Sequence, residues 1–453
     1  MTAFRSVVVL TGLLAVAATF GFRASVPAAN AASSDTGSQA SVAINEPLAR
    51  GPARVRTWYY FGLNDVNANV PASIMAHYAD YVEDDGNTAE HARAFKAAGG
   101  RYAAAYTDPA YVPYCRPPFS PPAGRCEGPL GTRALDESAW FHGRDGTRVR
   151  RYGDEHFQYT ESLNPLSPIA RRAWHDTTAE LVRKAPWLDL LFADDAGGPL
   201  HAGDMSPMSS QFYGFNDAGT EITSDAVFRD AWAAYLTVAV RPLVINGADP
   251  VSGEPAYGGA FLRPARILGA VHEGCFRGGS GVDTDVRDRW RRDADSLIVN
   301  TALGKLAICF MMGTPTPENR LYALASWWLT YDPRWSIAAP IDAIPGQSAI
   351  VAEMELVPVG ALRSARRSVR DLRAENGVYV REFAACYQRG TPIGGCAALV
   401  NPSGRALPLP PLDGRYARTL VLDGNDVLHG GRATWAGRMP ASVGAASALV
   451  LAR

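Results

Sequence analysis

From Arg54 onward, short apolar runs alternate with amphipathic stretches of helical period, and this alternation most limits the folds open to the chain. A strand, a helix and a second strand in succession place the two strands side by side in parallel, with the helix crossing over one face. Strands are expected at residues 55–63 (VRTWYYFGL) and 102–107, and on weaker patterning near 157–162. The fourth, 187–194 (WLDLLFAD), is the clearest, followed by 243–246, 266–273 and 306–311, with 335–339 to close the ring. Helices fall between them at 88–98, 168–184, 225–240, 284–302 and 319–330. The 88–98 helix carries Ala92, Phe95 and Ala98 on one stripe and stops at Gly99-Gly100. In the 168–184 helix the inner face is expected to be Ile169, Ala173, Thr177 and Leu181. Eight strand–helix units make an α/β fold of the (β/α)8 TIM-barrel type.

The two ends differ from this middle. A short basic start precedes the uncharged apolar run 7–22, and Ala28-Ala29-Asn30-Ala31-Ala32 offers a cleavage site after Ala31, so residues 1–31 read as a signal peptide. A membrane anchor is the competing reading, because the run approaches the length of a short span. Residues 32–53, rich in Ser, Ala, Gly and Pro, read as a flexible linker. The barrel domain is expected to occupy 54–370. Residues 371–453 lack helical period, and the short strands 377–383, 397–400, 416–422 and 446–451 separated by turn residues indicate a small antiparallel β-sandwich. No later run is apolar and charge-free enough for a stable membrane span after signal cleavage, so a secreted or periplasmic location is expected.

Six cysteines suit an oxidising compartment. Cys115/Cys126 and Cys386/Cys396 are closely spaced, as loop-closing disulfides would be, leaving Cys275 and Cys309 as a third pair or as buried thiols. There is no C-x-x-C and no clustered His, so neither a metal nor another cofactor is expected. A formal net charge of −1 gives no reason to expect nucleic acid as a partner.

In a parallel barrel, reactive groups sit at the carboxyl ends of strands, where the βα loops form the pocket. The fourth strand ends in Asp194-Asp195 before Ala196-Gly197-Gly198, and the sixth in His272-Glu273-Gly274. Two carboxylates facing each other are what glycosidic hydrolysis requires: one protonates the leaving oxygen, and the other attacks the anomeric carbon or activates water. Alternation puts Glu273 on one face with Val271 and Gly269, and His272 on the other with Ala270 and Leu268. Asp194 shares its face with Phe192 and Leu190, whereas Asp195 equally suits a turn-shaping role. Asn246, at the end of the fifth strand, could donate to a sugar hydroxyl or satisfy a turn. Trp58, Tyr60, Tyr106 and Phe276 are candidate sugar platforms. Glu161, Asp108 and Glu318 read as surface or supporting groups. Other chemistries lack their residues. His272-Glu273 opens like H-E-x-x-H, but Phe276 holds the second His position; Gly278-Gly279-Ser280-Gly281 is not G-x-S-x-G; and no P-loop or dinucleotide fingerprint is present.

WLDLLFADDAG, the Asn246-Gly247 pair, the EGC after strand six and the tail VYVREFAACY…ALVNPSG together resemble TIM-barrel glycoside hydrolases of the endo-α-1,4-polygalactosaminidase type. The resemblance implies a barrel with a small C-terminal β-domain, a carbohydrate substrate, and a catalytic Asp and Glu falling on Asp194 and Glu273. The chain departs from the pattern in the Cys-containing insertion 109–133, which bears on the substrate more than on the fold. A different class, a non-catalytic glycan-binding protein on a degenerate barrel, would place Asp194 and Glu273 more than about 12 Å apart, beyond the working range of a carboxylate pair. Esterase or amidase chemistry would need a Ser–His or metal set that the sequence does not show.

Overall fold

The structure is a computed structural model that describes residues 53–61, 67, 69–84, 90–109, 111–113, 135–140, 150–151, 160–194, 196, 225–246, 262–276, 286–311, 315–340, 347–365 and 368–453. The expected signal peptide, nearly all of the expected linker, and Cys115 and Cys126 lie outside the described residues.

The strands are β1 (Trp58–Phe61), β2 (Tyr81–Asp84), β3 (Tyr102–Thr107), β4 (Tyr111–Pro113), β5 (Arg150–Arg151), β6 (Thr160–Ser162), β7 (Leu190–Ala193), β8 (Leu243–Asn246), β9 (Ile267–His272), β10 (Leu306–Met311) and β11 (Ser336–Pro340). Eight of them form one parallel sheet in the order β1-β2-β3-β7-β8-β9-β10-β11. A parallel bridge between Thr57 and Ala338 brings its edges together, with the Ala338 N–H donating to the Arg56 carbonyl at 3.0 Å. The result is a nearly closed (β/α)8 barrel.

Its helices are α1 (Ala72–Tyr78), α2 (Glu90–Ala97), α3 (Pro168–Lys184), α4 (Asp225–Leu236), α5 (Val286–Ala302) and α6 (Pro317–Thr330). Each barrel strand is buried on both faces. Trp58, Tyr60, Phe192, Leu306 and Phe310 fill the interior, while Tyr59, Phe61, Leu191 and Ile245 pack outward under the helices. Ser167 caps α3 by accepting from the Ala170 N–H at 3.4 Å, with Pro168 in the first turn. The buried stripe of α3 is Ala170, Ala173, Trp174, Thr177 and Thr178, with Leu181 packed beside it; of the expected inner face only Ile169 is exposed.

One expected strand is corrected. Residues 157–162 contribute β6 to a separate antiparallel sheet with β4 and β5, and the barrel strand that sequence reading passed over is β2. Its residues, Tyr81-Val82-Glu83-Asp84, look half polar, yet all four are buried. The polarity is internal. Trp58 donates its indole N–H to Glu83 at 3.2 Å, and the Ala92 N–H in the first turn of α2 donates to Asp84 at 3.0 Å. One strand lost and one gained cancel, so β7 and β9 remain the fourth and sixth strands of the barrel.

After the barrel come β12 (Leu356–Ala361), β13 (Tyr379–Gln388), β14 (Thr391–Asn401), β15 (Leu407–Pro408), β16 (Arg418–Asp423), β17 (Arg432–Ala436), β18 (Ser442–Val443) and β19 (Ser447–Ala452). Six form an antiparallel sheet, β12-β13-β14-β19-β16-β17, and β15 pairs with β18 in a second, two-stranded layer. The sheet takes its first strand from Leu356, ahead of the boundary expected at residue 371. Alternation along β14 sends Ala398 and Val400 toward the barrel helices and Ala397 and Leu399 toward the small layer. Helix α6 lies between barrel and sheet, which explains why Tyr322 through Thr330 are all buried. Arg381 of β13 ties the junction by donating to the carbonyls of Trp328, Leu329 and Tyr331 at 3.2, 2.9 and 2.8 Å, where the end of α6 leaves acceptors unused. Disulfides join Cys386 to Cys396 across the β13–β14 hairpin and Cys275, in the turn after β9, to Cys309 of β10.

Two stability predictions follow from the barrel packing. A Cβ on Gly269 would meet the Leu306 backbone oxygen at 2.2 Å, a contact that no side-chain rotation relieves. Gly269→Ala is therefore expected to destabilise the protein by about 2 kcal/mol or more, read as a lower urea midpoint. Burial also pushes the phenols of Tyr59, Tyr60, Tyr81, Tyr235, Tyr322 and Tyr331 upward, Tyr81 to about 12. The unfolded chain loses these protons from about pH 10, while the fold still holds them. Their contribution is complete below pH 10 and falls as pH rises from there. Urea midpoints should drop steeply above pH 10, with most phenolate absorbance appearing only on unfolding.

Candidate active site

Four adjacent strands of the barrel, β3, β7, β8 and β9, bring polar side chains to their carboxyl ends: Tyr106, Asp194, Asn246 and Glu273. Asp194 directly follows β7, and its backbone N–H donates to Thr107 at 2.8 Å, continuing the pairing with β3. Its interior position follows from alternation with Leu190 and Phe192, both within the barrel. On β9 the alternation slips once. Pairing with β8 shifts between Leu243↔Ile267 and Val244↔Gly269, so Leu268 faces inward against expectation. Val271 then faces the interior, and buried His272 approaches Asn300 of α5 at 3.5 Å. Glu273 emerges exposed at the mouth.

The amide nitrogen of Asn246 donates to Asp194 Oδ1 at 2.7 Å and to Glu273 Oε2 at 3.1 Å. A single nitrogen therefore bridges the two carboxylates, and these two oxygens lie within about 6 Å of each other, inside the range in which paired carboxyl groups act on one glycosidic bond. The second oxygen of Asp194 accepts from the Tyr106 hydroxyl at 2.8 Å. With both oxygens engaged, the plane of the Asp194 carboxylate is fixed. Desolvation by the surrounding protein, and then the charges of Asp194 and Asp108, push the Tyr106 phenol above its ordinary range. It stays an O–H donor across any working pH.

Beneath this layer lies Glu83 of β2, fully buried and not singled out by sequence reading. It takes the indole N–H of Trp58 and is hydrogen-bonded to the Tyr60 hydroxyl. Burial, then the charges of Glu83 and Asp194, raise the Tyr60 phenol as well. The signal that could have found Glu83 is its place on a strand whose neighbours are all core-like, had β2 been recognised.

The expected sugar platforms fare unequally. Trp58 is fully buried and stacked on Tyr81, with ring centroids 5.4 Å apart. Tyr60 lies edge-on to Phe192 and Phe310 inside the barrel. Phe276 is buried against Trp290. None of these three presents a face to a sugar, because filling an eight-strand ring consumes large aromatics as core. Tyr106, 37% exposed, is the candidate aromatic that reaches the mouth. Asp195 lies outside the described residues.

No protein-family model matches the chain, and no curated protein matches it. Solved structures do, 127 chains in all. One is Aspergillus fumigatus Ega3 in complex with galactosamine, at 12% identity, covering 59% of this chain and 81% of that one, with a TM-score of 0.32. A second is the α-glucosyl transfer enzyme XgtA, at 8% identity, covering 89% and 99%, with a TM-score of 0.44. A third is a dextranase from Flavobacterium johnsoniae with isomaltotriose, at 10% identity, covering 91% and 54%, with a TM-score of 0.44. The chain is similar to these proteins in layout; its own strand pairing establishes the barrel.

Proposed function

We propose that the protein is an exported glycoside hydrolase that cleaves a poly- or oligosaccharide with the Asp194/Glu273 pair and retains anomeric configuration. The observation that carries this reading is the Asn246 nitrogen held between the two carboxylates. Retention follows from reading this bridge, which keeps Asp194 Oδ1 and Glu273 Oε2 within about 6 Å, as the close pair of a retaining site, roughly 5–5.5 Å, rather than the 6.5–9.5 Å that leaves room for a water. Asp194, oriented through both oxygens, suits the nucleophile. Glu273, exposed at the mouth and held by Asn246 at Oε2, suits the acid/base.

In the first step a lone pair of the Asp194 carboxylate attacks the anomeric carbon as the bond to the leaving oxygen breaks, and Glu273 gives that oxygen its proton. In the second, a water passes its proton to Glu273 and attacks the same carbon, releasing Asp194 and restoring the starting protonation. Asn246 and Tyr106 hold Asp194 in line through both steps. No cofactor, metal or nucleic acid enters this scheme. Asp195 remains a supporting carboxylate on this reading, and Tyr106 the aromatic wall. Export is supported by the apolar N-terminal run and by the two disulfides. Among the described residues no helix is long and apolar enough to cross a membrane. The glycan-binding alternative is weakened by the convergence of the carboxylates and by the burial of three of the four candidate platforms.

A panel of bacterial and fungal exopolysaccharides, assayed for reducing ends, tests the function. Asp194→Asn and Glu273→Gln should each lower turnover by about 10²–10⁴-fold, and undiminished cleavage by both would refute the site. Proton NMR of the first product formed should show the substrate's anomeric configuration; the opposite anomer would make the pair an inverting one. Tyr106→Phe removes one donor from a charged acceptor and should cost about 10–100-fold in kcat/KM, with the fold unchanged by circular dichroism.

A further inference from the structure

The turn that carries Glu273 is held more firmly than a surface turn requires. Glu273 is exposed, yet His272 before it and Gly274, Cys275 and Phe276 after it are all buried. Gly274 and Phe276 both take left-handed backbone, at φ of 67° and 54°. Glycine enters that region freely, but phenylalanine does so only where its surroundings hold it.

Two independent ties supply the hold. Cys275 is disulfide-bonded to Cys309 of β10, the residue that pairs with His272 of β9. The Phe276 N–H donates to the buried Asp293 carboxylate of α5 at 3.2 Å, and its ring lies 6.1 Å, centroid to centroid, from Trp290 of the same helix. Trp290 is itself fixed, donating to Ser326 of α6 at 2.9 Å. The turn is thus anchored to the neighbouring strand at one residue and to the helix behind it at the next. Neither tie touches the side chain of Glu273.

We infer that the Cys275–Cys309 disulfide, backed by Phe276 and Asp293, is a positioning device that presets the reach of Glu273 toward Asp194. This rests on the reading of Glu273 as the acid/base. The bond closes in the turn after β9, two residues beyond the proposed acid. With the backbone fixed on both sides, Glu273 moves only through its own side-chain torsions. A displacement of about 1 Å in a reacting group costs on the order of 100-fold in rate, so the anchoring bears directly on turnover.

The test is a double-mutant cycle on the glycan that the wild-type protein cleaves in the panel. Cys275→Ala/Cys309→Ala is compared with wild type, with Glu273→Gln, and with all three changes combined, at a temperature where circular dichroism shows each folded. Removing the disulfide should lower kcat by about 100-fold with KM changed by less than about twofold. In the Glu273→Gln background the same removal should change kcat by less than about twofold, because the group it positions is already disabled. Cys386→Ala/Cys396→Ala, which opens a disulfide in the C-terminal sheet, should leave kcat within about twofold of wild type. Wild-type turnover without the Cys275–Cys309 bond, or an equal loss in both backgrounds, would overturn the positioning role while leaving Glu273 in place. Full activity of Glu273→Gln would instead remove Glu273 from the reaction, and the inference with it. Should Cys275→Ala/Cys309→Ala not fold, Asp293→Ala, which keeps both disulfides, runs the same cycle under the same two criteria.

Discussion

The amide of Asn246 is the contact on which the site depends. Two carboxylates at one barrel mouth repel each other unless something donates to both, and a neutral amide nitrogen does so without adding charge. That nitrogen can reach both only because β7, β8 and β9 are adjacent, with Asn246 on the strand between the two acids. The parallel sheet supplies the adjacency, and near-closure of the ring between Thr57 and Ala338 lets all eight strands aim their carboxyl ends at one mouth. Everything below that mouth is filling. Trp58, Tyr60, Phe192 and Phe310 occupy the ring, and Glu83 is buried among them as a polar inclusion tied to Trp58 and Tyr60.

Much of this was legible in the sequence, and for identifiable reasons. WLDLLFAD and the run ending in His272-Glu273 are strands buried on both faces, so their hydrophobicity is nearly continuous and their ends are abrupt. The acids stand where the apolar runs stop, which located Asp194 and Glu273 before any geometry. Asn246 was visible at a strand end, but its bridging role needs the two neighbouring strands in space. No one-dimensional pattern contains that.

Two of the failures have one common cause. Sequence reading equates polarity with surface and large aromatics with ligands, and a barrel interior inverts both. Tyr81–Asp84 lacks a continuous apolar run, although Glu83 is spent inside the ring on an indole and a phenol and Asp84 outside it on the first turn of α2. Trp58, Tyr60 and Phe276 were offered to a sugar but are needed to fill space. Of the strand expected at 157–162, Thr160–Ser162 is one, though its partners are antiparallel and lie outside the barrel. The slip at Leu268 shows the same limit at finer scale: a single shift in pairing sends an adjacent residue to the unexpected face.

The central claim is that Asp194 attacks the anomeric carbon while Glu273 moves the proton. It is tested most directly by trapping the intermediate with a 2-deoxy-2-fluoro glycoside of the sugar found in the cleaved glycan. Intact-mass and peptide mass spectrometry should find one glycosyl adduct per chain, located on Asp194 and lost when that residue is Asn. An adduct on Glu273 or on any other residue would contradict the account, as would its persistence in the Asp194→Asn protein.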